Sequence, residues 1–310
     1  MEIIDPAKIA AKYLEESRSS VEQLGAVPKV VGFIASEDKP SLAYANTTRR
    51  VFTEAGFEYE LRPIARLALE SAIQETNEDA SVHGIFIYFP VFHGQEDNYL
   101  RNLVDYRKDV EAGSLYWTRK LSANDRLATE GDSGKKALLP CTPLAIVKLL
   151  DDSGHYGTKF DKKKLLEAGE QPKPLAGKFV TIFNRSEVIG RPLGVMMSND
   201  GAVVTSIDEN GALQFINGLP QETDMTRAQA LAKADYVVTG VPNERFERVK
   251  KSEIRSESVC VNFSSIENFE PDVAQFVRTF VPRVGPMTVA MCMRNTVRLY
   301  QNFHQGTHQQ

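Results

Sequence analysis

The segment from Lys178 to Asp208 constrains the fold more than any other part of the chain. It opens with a short apolar run, residues 179–183, whose β-branched and aromatic residues predict a buried strand. A polar turn follows, and Pro192 lies where a helix can begin. A second predicted strand, 202–207, leads into Asp208. Strand, turn, helix N-terminus, strand and terminal acid are the parts of a dinucleotide-binding βαβ unit.

Two parts of this unit can contact a nucleotide. The helix N-terminus offers free N–H groups to a pyrophosphate, and the Asp208 carboxylate can accept hydrogen bonds from a ribose diol. The usual G-x-G-x-x-G is absent, and Asn184 takes the place of the first glycine. Asparagine tolerates left-handed backbone angles, so the turn stays possible. On these residues alone, another doubly wound protein or a methyltransferase that binds adenosylmethionine explains the pattern too.

Length and charge exclude several classes of protein. A chain of 310 residues predicts two domains of about 150 residues each. The net charge is −4 and no long basic run is present, which argues against a nucleic-acid partner. No apolar stretch approaches the roughly 18 residues that span a bilayer, so no membrane partner is expected. The N-terminus carries no signal or transit pattern, and we expect a cytoplasmic protein.

The three cysteines, Cys141, Cys260 and Cys292, are far apart and lack the spacing of metal ligands. They predict free thiols in a reducing compartment and no metal site.

Apolar runs and helical patterns alternate along the chain, as in α/β folds with parallel strands. In the first half, helices are predicted at 6–24, 41–55 and 65–78, and strands at 29–36, 57–61 and 84–89. A polar stretch, 151–174, predicts the connection between domains. The second half contains predicted strands at 179–183, 202–207, 236–239 and 259–263, then an apolar helix at 289–303.

The fold class is therefore α/β with two domains. We predict an N-terminal substrate domain, 1–150, and a Rossmann-like dinucleotide-binding domain with a parallel sheet, 151–285. The last residues, 286–310, contain a helix that follows the final strand, and we expect it to pack back on the first domain.

Five further segments carry polar or conformationally special residues. Tyr44 and Thr48 are four residues apart and share a face of a predicted helix. Tyr88 and Pro90 follow a parallel strand at its carboxyl end, where open α/β sheets line their ligand crevices. The others are a charged cluster at 108–111, a proline-rich turn at 140–143 and a glycine turn at 284–288. Taken singly, most are explained at least as well by core packing, solvated surface or a simple turn.

Together, and in order, these segments resemble the methylenetetrahydrofolate dehydrogenase/cyclohydrolase family from about Lys29 to Thr296. Residues 41–44 are similar to the family's S-x-x-Y-V-x-x-K helix, 88–92 to Q-L-P-L-P, 108–111 to K-D-V-D-G and 139–143 to F-x-P-C-T-P. In the second half, residues 184–192 are similar to G-R-S-x-x-V-G-x-P, 239–242 to x-G-x-P and 284–288 to V-G-P-M-T.

Two departures fall on the family's hydrolytic residues. The motif lysine is Thr48 and the motif glutamine is Tyr88. In the family that lysine, supported by the glutamine, carries hydrolysis of the methenyl bridge. A threonine has no ammonium group to stabilise charge or move protons. The departures imply that cyclohydrolase activity is lost, as in the monofunctional, NAD-dependent members of the family known from yeast.

The dehydrogenase step does not need those two residues. Its substrate carries a CH₂ bridge between N5 and N10, and loss of hydride leaves a cation shared by both nitrogens. No proton has to leave, so the main requirement is to align the nicotinamide with the bridge carbon. The resemblance thus implies hydride transfer from 5,10-methylenetetrahydrofolate to NAD in a folate cleft between the two domains.

The resemblance also assigns roles to residues. Tyr44 packs against the folate rings, and Glu111 takes the place of the second aspartate of K-D-V-D-G, which binds the pterin nitrogens. Ala112 replaces the motif glycine, which implies a shifted backbone and leaves Asp109 as the alternative carboxylate. The catalytic and substrate-side set also includes Thr48, Tyr88, Pro90, Gly285, Pro286 and Thr288. The cofactor-side set is Asn184, Arg185, Ser186, Val188, Ile189, Gly190, Pro192, Asp208, Gly240, Val241, Pro242 and Thr288.

Cofactor choice rests on Asp208, because a carboxylate there repels the 2′-phosphate of NADP and accepts a hydrogen bond from the ribose hydroxyl of NAD. NADP-dependent members carry H-S-x-T at this strand end. Arg185 and Arg191 argue the other way, since an arginine can bind a 2′-phosphate. The balance predicts NAD.

Two other functions stay open at this stage. One is a bifunctional NADP-dependent dehydrogenase/cyclohydrolase in which another residue replaces the lysine. The other is a regulatory module that binds folate or NAD without turnover. The resemblance further implies a homodimer that acts in one-carbon metabolism and purine biosynthesis.

Overall fold

The computed structural model describes residues 1–132, 134–157 and 172–306. These residues form two compact units, which we name by their sheets. The eight-strand unit contains Met1–Ile9, Leu121–Asn124 and Thr142–Thr288; the three-strand unit contains Ala10–Lys120, Asp125–Cys141 and the residues from Val289 on. Residues 158–171 of the predicted domain connection lie outside the described residues. The functional boundaries at residues 150 and 285 stay a prediction.

The helices and strands follow the predicted alternation. The strands are β1 (Glu2–Ile3), β2 (Lys29–Ile34), β3 (Glu58–Pro63), β4 (Gly84–Ile87), β5 (Phe179–Phe183), β6 (Val203–Asp208), β7 (Gly211–Ile216), β8 (Leu219–Glu222), β9 (Tyr236–Thr239), β10 (Val259–Asn262) and β11 (Thr279–Val281). The α-helices are α1 (Pro6–Leu24), α2 (Lys39–Glu54), α3 (Leu69–Glu78), α4 (Gln95–Leu103), α5 (Leu115–Ser122), α6 (Cys141–Asp152), α7 (Gly190–Asn199), α8 (Arg227–Lys233) and α9 (Gly285–Leu299).

The three-strand unit is built on a parallel sheet in the order β3-β2-β4. The central strand β2 is almost wholly buried, because both faces of a parallel sheet are covered. Val31 and Phe33 from β2 and Ile85 from β4 pack with Leu69 and Ile73 of α3 in one apolar core. This packing fixes the carboxyl ends of β2 and β4, where the predicted substrate-side residues begin.

The eight-strand unit is a mostly parallel sheet in the order β1-β11-β10-β9-β5-β6-β7-β8. The chain places β6 on one side of β5 and β9 on the other, so the direction of strand addition reverses at β5. Ligands of open α/β sheets bind at the carboxyl ends of the strands beside such a reversal. The topology therefore positions the turn after β5 as a ligand site.

One part of this sheet differs from the predicted parallel arrangement. Strands β7 and β8 form an antiparallel hairpin that continues the sheet beyond β6. Asn217 and Gly218 join them with φ angles of 50° and 80°, the backbone that a two-residue hairpin turn requires.

Three further features bear on the predictions. The predicted helix at 65–78 is a 3₁₀ turn, Arg66–Ala68, followed by α3. The predicted helix at 289–303 begins earlier, at Gly285, and changes to a π-helical turn over Tyr300–His304. The three cysteines are free and buried, as expected. Within the described ranges, no helix is both long and apolar enough to cross a bilayer.

Candidate functional site

The turn after β5 is organised by the side chain of Asn184. Its amide nitrogen donates to the carbonyl of Gly240 at 2.8 Å, which ties the end of β5 to the end of β9. Its amide oxygen accepts from the backbone N–H of Ser186 at 2.9 Å and from the Ser186 hydroxyl at 2.7 Å. Asn184 does not have a positive φ. The explanation based on left-handed backbone angles is therefore wrong, because the side chain builds the turn instead.

Two glycines in this region are required by close packing. A Cβ atom on Gly190 would lie 2.0 Å from the backbone oxygen of Asn184, and one on Gly240 would lie 1.9 Å from the ring of Phe263. The first neighbour is backbone at the end of β5, and the second is a ring that would have to swing away. The glycines thus let the turn, the start of α7 and the end of β9 come together.

The turn leaves backbone donors available for a ligand. Among the residues that the structure describes, the N–H groups of Arg185, Glu187 and Val188 donate to no protein acceptor. They precede the N-terminus of α7, where the helix dipole favours negative charge. Free donors at a helix N-terminus on the switch point fit the pyrophosphate of a dinucleotide.

Asp208 ends β6 and is paired with Arg185. Its Oδ1 atom accepts from the Arg185 guanidinium and from the backbone N–H of Asn210, the latter at 2.8 Å. Arg185 also donates to the carbonyl of Ser206 at 3.3 Å, and the two charged side chains expose only 10% and 18% of their surface. No donor among the described residues reaches Oδ2 of Asp208. That oxygen is free to accept from a ribose hydroxyl.

The other predicted cofactor-side residues surround this turn. Val241 donates its backbone N–H to Oδ1 of Asn268 at 2.8 Å, and its carbonyl accepts from Nδ2 of the same side chain at 3.0 Å. Asn268 was not predicted, since nothing near it in sequence marks it. Val188 and Ile189 lie half-buried in the turn, Pro192 is buried in the first turn of α7, and Pro242 is exposed after β9.

Gly285 and Pro286 open α9, and Thr288 lies in its first turn. The Thr288 hydroxyl is 3.4 Å from that of Thr142.

A second group of predicted residues lies in the three-strand unit. Tyr44 on α2 is 39% exposed, and its ring meets that of Tyr88 edge-on, with centroids 6.0 Å apart. Tyr88 is buried, and its hydroxyl lies 2.7 Å from that of Tyr59. Burial raises the pKa of Tyr88 to about 12, so its hydroxyl stays protonated at neutral pH. This ring fills the position of the motif glutamine.

Thr48 occupies the position of the motif lysine and is fully buried. Its hydroxyl donates to the carbonyl of Tyr44 at 3.0 Å. Both hydrolytic positions therefore hold buried, neutral side chains, with no ammonium group.

Glu111 is the carboxylate best placed to bind a ligand. It is half-buried, and burial together with the negative charge of Asp109 raises its pKa to about 8. Its side chain makes no hydrogen bond or ion pair within the described residues. Asp109, by contrast, is buried and accepts from the backbone N–H of Ser114 at 2.8 Å. The Asp109 carboxylate is thus used in the local turn, whereas the Glu111 carboxyl group is available to a ligand.

The backbone after Glu111 keeps a glycine-like form. Ala112 has a φ of 52°, in the left-handed region that glycine adopts without strain. Ala112 thus takes a backbone conformation that favours glycine, and the backbone shift expected from the sequence stays a prediction.

Two residues that were not predicted hold these segments in place. The Asp97 carboxylate accepts from the backbone N–H groups of residues 91, 92 and 93 at 2.8–3.2 Å, which fixes the loop after the exposed cis-Pro90. The buried amide of Asn295 donates to the carbonyls of Val110 and Leu139 at 3.1 and 3.0 Å. Cys141 in turn donates its backbone N–H to the Glu111 carbonyl at 3.1 Å.

These features define a two-unit α/β protein. Its larger sheet has a dinucleotide-type turn at the switch point, and its smaller unit has a half-buried carboxyl group, Glu111, and an exposed tyrosine, Tyr44. The chain belongs to the tetrahydrofolate dehydrogenase/cyclohydrolase family. The catalytic domain of that family matches residues 4–111, and its NAD(P)-binding domain matches residues 140–304.

Relatives of this chain include enzymes of both kinds within the family. The methylenetetrahydrofolate dehydrogenase [NAD(+)] of Dictyostelium discoideum is 37% identical over 96% of this chain and 94% of its own length. The solved structure of the NAD-dependent 5,10-methylenetetrahydrofolate dehydrogenase from Saccharomyces cerevisiae matches with a TM-score of 0.86 at 34% identity, covering 97% of each chain. The bifunctional protein FolD of Acholeplasma laidlawii is 27% identical over 96% of this chain and 98% of its own.

Proposed function

We propose that this protein is an NAD-dependent dehydrogenase that oxidises 5,10-methylenetetrahydrofolate to 5,10-methenyltetrahydrofolate and lacks cyclohydrolase activity. The observation that carries the proposal is that two buried, neutral side chains, Thr48 and Tyr88, occupy the family's two hydrolytic positions. The relatives that share 36–37% of its residues are named as NAD(+)-dependent dehydrogenases.

The eight-strand unit binds the cofactor, which supplies the hydride acceptor. The backbone donors of Arg185, Glu187 and Val188 hold the pyrophosphate, and Oδ2 of Asp208 accepts from the adenosine ribose. A 2′-phosphate at that place would meet the Asp208 carboxylate, and the arginine nearest to it is already paired with that carboxylate. These contacts support NAD over NADP.

The three-strand unit binds the folate. The exposed ring of Tyr44 supplies a flat apolar surface for the pterin, and the free carboxyl group of Glu111 hydrogen-bonds its nitrogens. With a pKa of about 8, Glu111 is largely protonated at neutral pH, so it can donate one hydrogen bond and accept another.

Residues 1–150 supply the folate side and residues 151–285 the NAD side. The loop of Gly285, Pro286 and Thr288 serves both ligands.

The chemical step needs no acid or base. Bound NAD would accept the hydride of the bridge carbon with both electrons of the C–H bond, and N5 and N10 would share the positive charge left on the folate. Binding and alignment are the contributions of the protein. Methenyl product then persists, because Thr48 and Tyr88 cannot promote attack of water on the bridge.

A cofactor-pair assay tests the proposal. With 5,10-methylenetetrahydrofolate and NAD, methenyl absorbance grows steadily, and with NADP it grows much more slowly. Added methenyltetrahydrofolate disappears only at its spontaneous rate. Fast hydrolysis that is lost in Tyr44→Phe would support the bifunctional alternative, and absence of turnover with either cofactor would support a binding module. A homodimer in the cytoplasm follows from the family resemblance and completes the proposal.

A further inference from the structure

A cavity of about 180 Å³ opens in the three-strand unit beside α1 and the C-terminal part of α9. Tyr13, Ser17 and Ser20 line it from α1, and Arg294, Val297 and Arg298 line it from α9. None of the folate-side or cofactor-side residues belongs to its wall. The cavity therefore has no part in the proposed reaction.

Two arginine side chains, Arg294 and Arg298, line this cavity. Within the described ranges neither Arg294 nor Arg298 forms an ion pair, and the one hydrogen bond of Arg298 runs to the carbonyl of Ala137 at 3.4 Å. Burial and the charge of Arg294 lower the pKa of Arg298 to about 10. Two neighbouring cations with so few partners are costly unless an anion joins them.

Ser17 adds a hydroxyl group to the same wall. The residue is 4% exposed and lines the cavity. Its hydroxyl group and the two guanidiniums can all donate hydrogen bonds, and donors that line one cavity favour a ligand rich in acceptor oxygens.

We propose that this cavity binds one inorganic phosphate ion. The cavity has room for a tetrahedral group, and arginine binds phosphate oxygens in pairs. Glu16 lies on the same wall with an exposed carboxylate. Monohydrogen phosphate keeps a proton that it can donate to this carboxylate. Sulfate and a phosphomonoester dianion have none and meet a repulsive oxygen instead.

Thermal unfolding of the whole protein with saturating NAD tests this proposal, because NAD blocks the pyrophosphate site. Inorganic phosphate is added at constant ionic strength, with sulfate and methyl phosphate in parallel. We expect phosphate to raise the wild-type melting temperature to a plateau, with smaller shifts from the other two anions. Arg294→Gln and Ser17→Ala weaken the phosphate response, about tenfold in apparent affinity for the arginine variant.

Arg49→Gln removes an exposed arginine from the same unit and is the matched control, with the wild-type response expected. Without phosphate, Arg294→Gln melts no lower than wild type, since it relieves the repulsion of Arg298. A wild-type shift that does not saturate, equal shifts with sulfate, or equal responses of Arg294→Gln and Arg49→Gln would each overturn the proposal.

Discussion

The guanidinium of Arg185 is bound to Oδ1 of Asp208, and no donor among the described residues reaches Oδ2 of the same carboxylate. One acidic side chain thus neutralises the arginine that could bind a 2′-phosphate and offers an acceptor to a 2′-hydroxyl. The pair explains how an arginine in the turn is compatible with preference for NAD.

Replacing Asp208 with serine tests this relationship. Asp208→Ser removes the acceptor and frees Arg185, so we expect kcat/KM with NAD to fall about tenfold to a hundredfold and that with NADP to rise. Glu209→Ser changes an exposed acid one residue further on and should leave both constants near wild type. Unchanged cofactor preference in Asp208→Ser would show that another residue selects the cofactor.

Asn184 gives a second prediction. Because its side chain builds the turn, Asn184→Gly should raise KM for NAD about tenfold, even though it restores the glycine of the family motif. Asn217→Gly is the control, since Asn217 has a φ of 50° that glycine tolerates. Steady-state kinetics and thermal unfolding of both variants give the comparison. A lower KM for NAD in Asn184→Gly would contradict this prediction, because it would mean that backbone freedom at residue 184 matters more than its side chain.

The Thr48–Tyr88 pair predicts coupled effects on stability. Thr48→Lys places an ammonium group in a fully buried position against the Tyr88 ring, and we expect a loss of about 2–4 kcal/mol in unfolding free energy. Tyr88→Gln in the same chain provides room and an amide partner, so the double variant should be more stable than the sum of the single changes predicts. Denaturant unfolding of the four proteins measures this coupling, and simple additivity would contradict it.

Glu111 predicts a pH dependence. Its ordinary pKa is 4.5 and its folded value is about 8, so between these values the folded protein holds a proton that the unfolded chain has lost. Stability attributable to this group therefore falls as pH rises from 4.5 to 8, and the penalty is complete above 8.

Glu111→Gln cannot ionise. Above pH 8 it should exceed wild type by on the order of 3 kcal/mol in unfolding free energy, and by much less near pH 4.5. Folate KM should vary around pH 8 in wild type but not in the variant. Denaturant melts across this range provide the data, with Glu78→Gln, an exposed residue of the same unit, as control. If the difference in unfolding free energy between Glu111→Gln and wild type does not grow with pH, then the pKa of Glu111 is not raised in the folded protein.

The β5–α7–β6 unit could be predicted from the sequence, because neighbouring residues alone specify its apolar strand, its polar turn and its terminal acid. It missed α4, whose nine residues include few apolar ones and bury only Asp97 and Leu100. The β7–β8 hairpin was not predicted either, although Asn217-Gly218 is a sequence typical of two-residue hairpin turns.

The candidate site was predicted less completely than the fold. Positions that belong to continuous motifs, such as Glu111 and Asp208, could be proposed directly from the sequence. Asn268 and Asn295 act on backbone groups 27 and more than 150 residues away in sequence, and no local pattern could mark them. The pairing of Arg185 with Asp208 depends on strand neighbours that only the sheet order brings together.

The most direct test of this account is one assay on purified protein. It measures formation and decay of 5,10-methenyltetrahydrofolate from 5,10-methylenetetrahydrofolate, with NAD and NADP in parallel. We expect accumulation of methenyl product with NAD, a clearly lower kcat/KM with NADP, and decay of the product at the spontaneous rate. Failure to reduce either cofactor, or rapid enzymatic loss of the methenyl product, would contradict it.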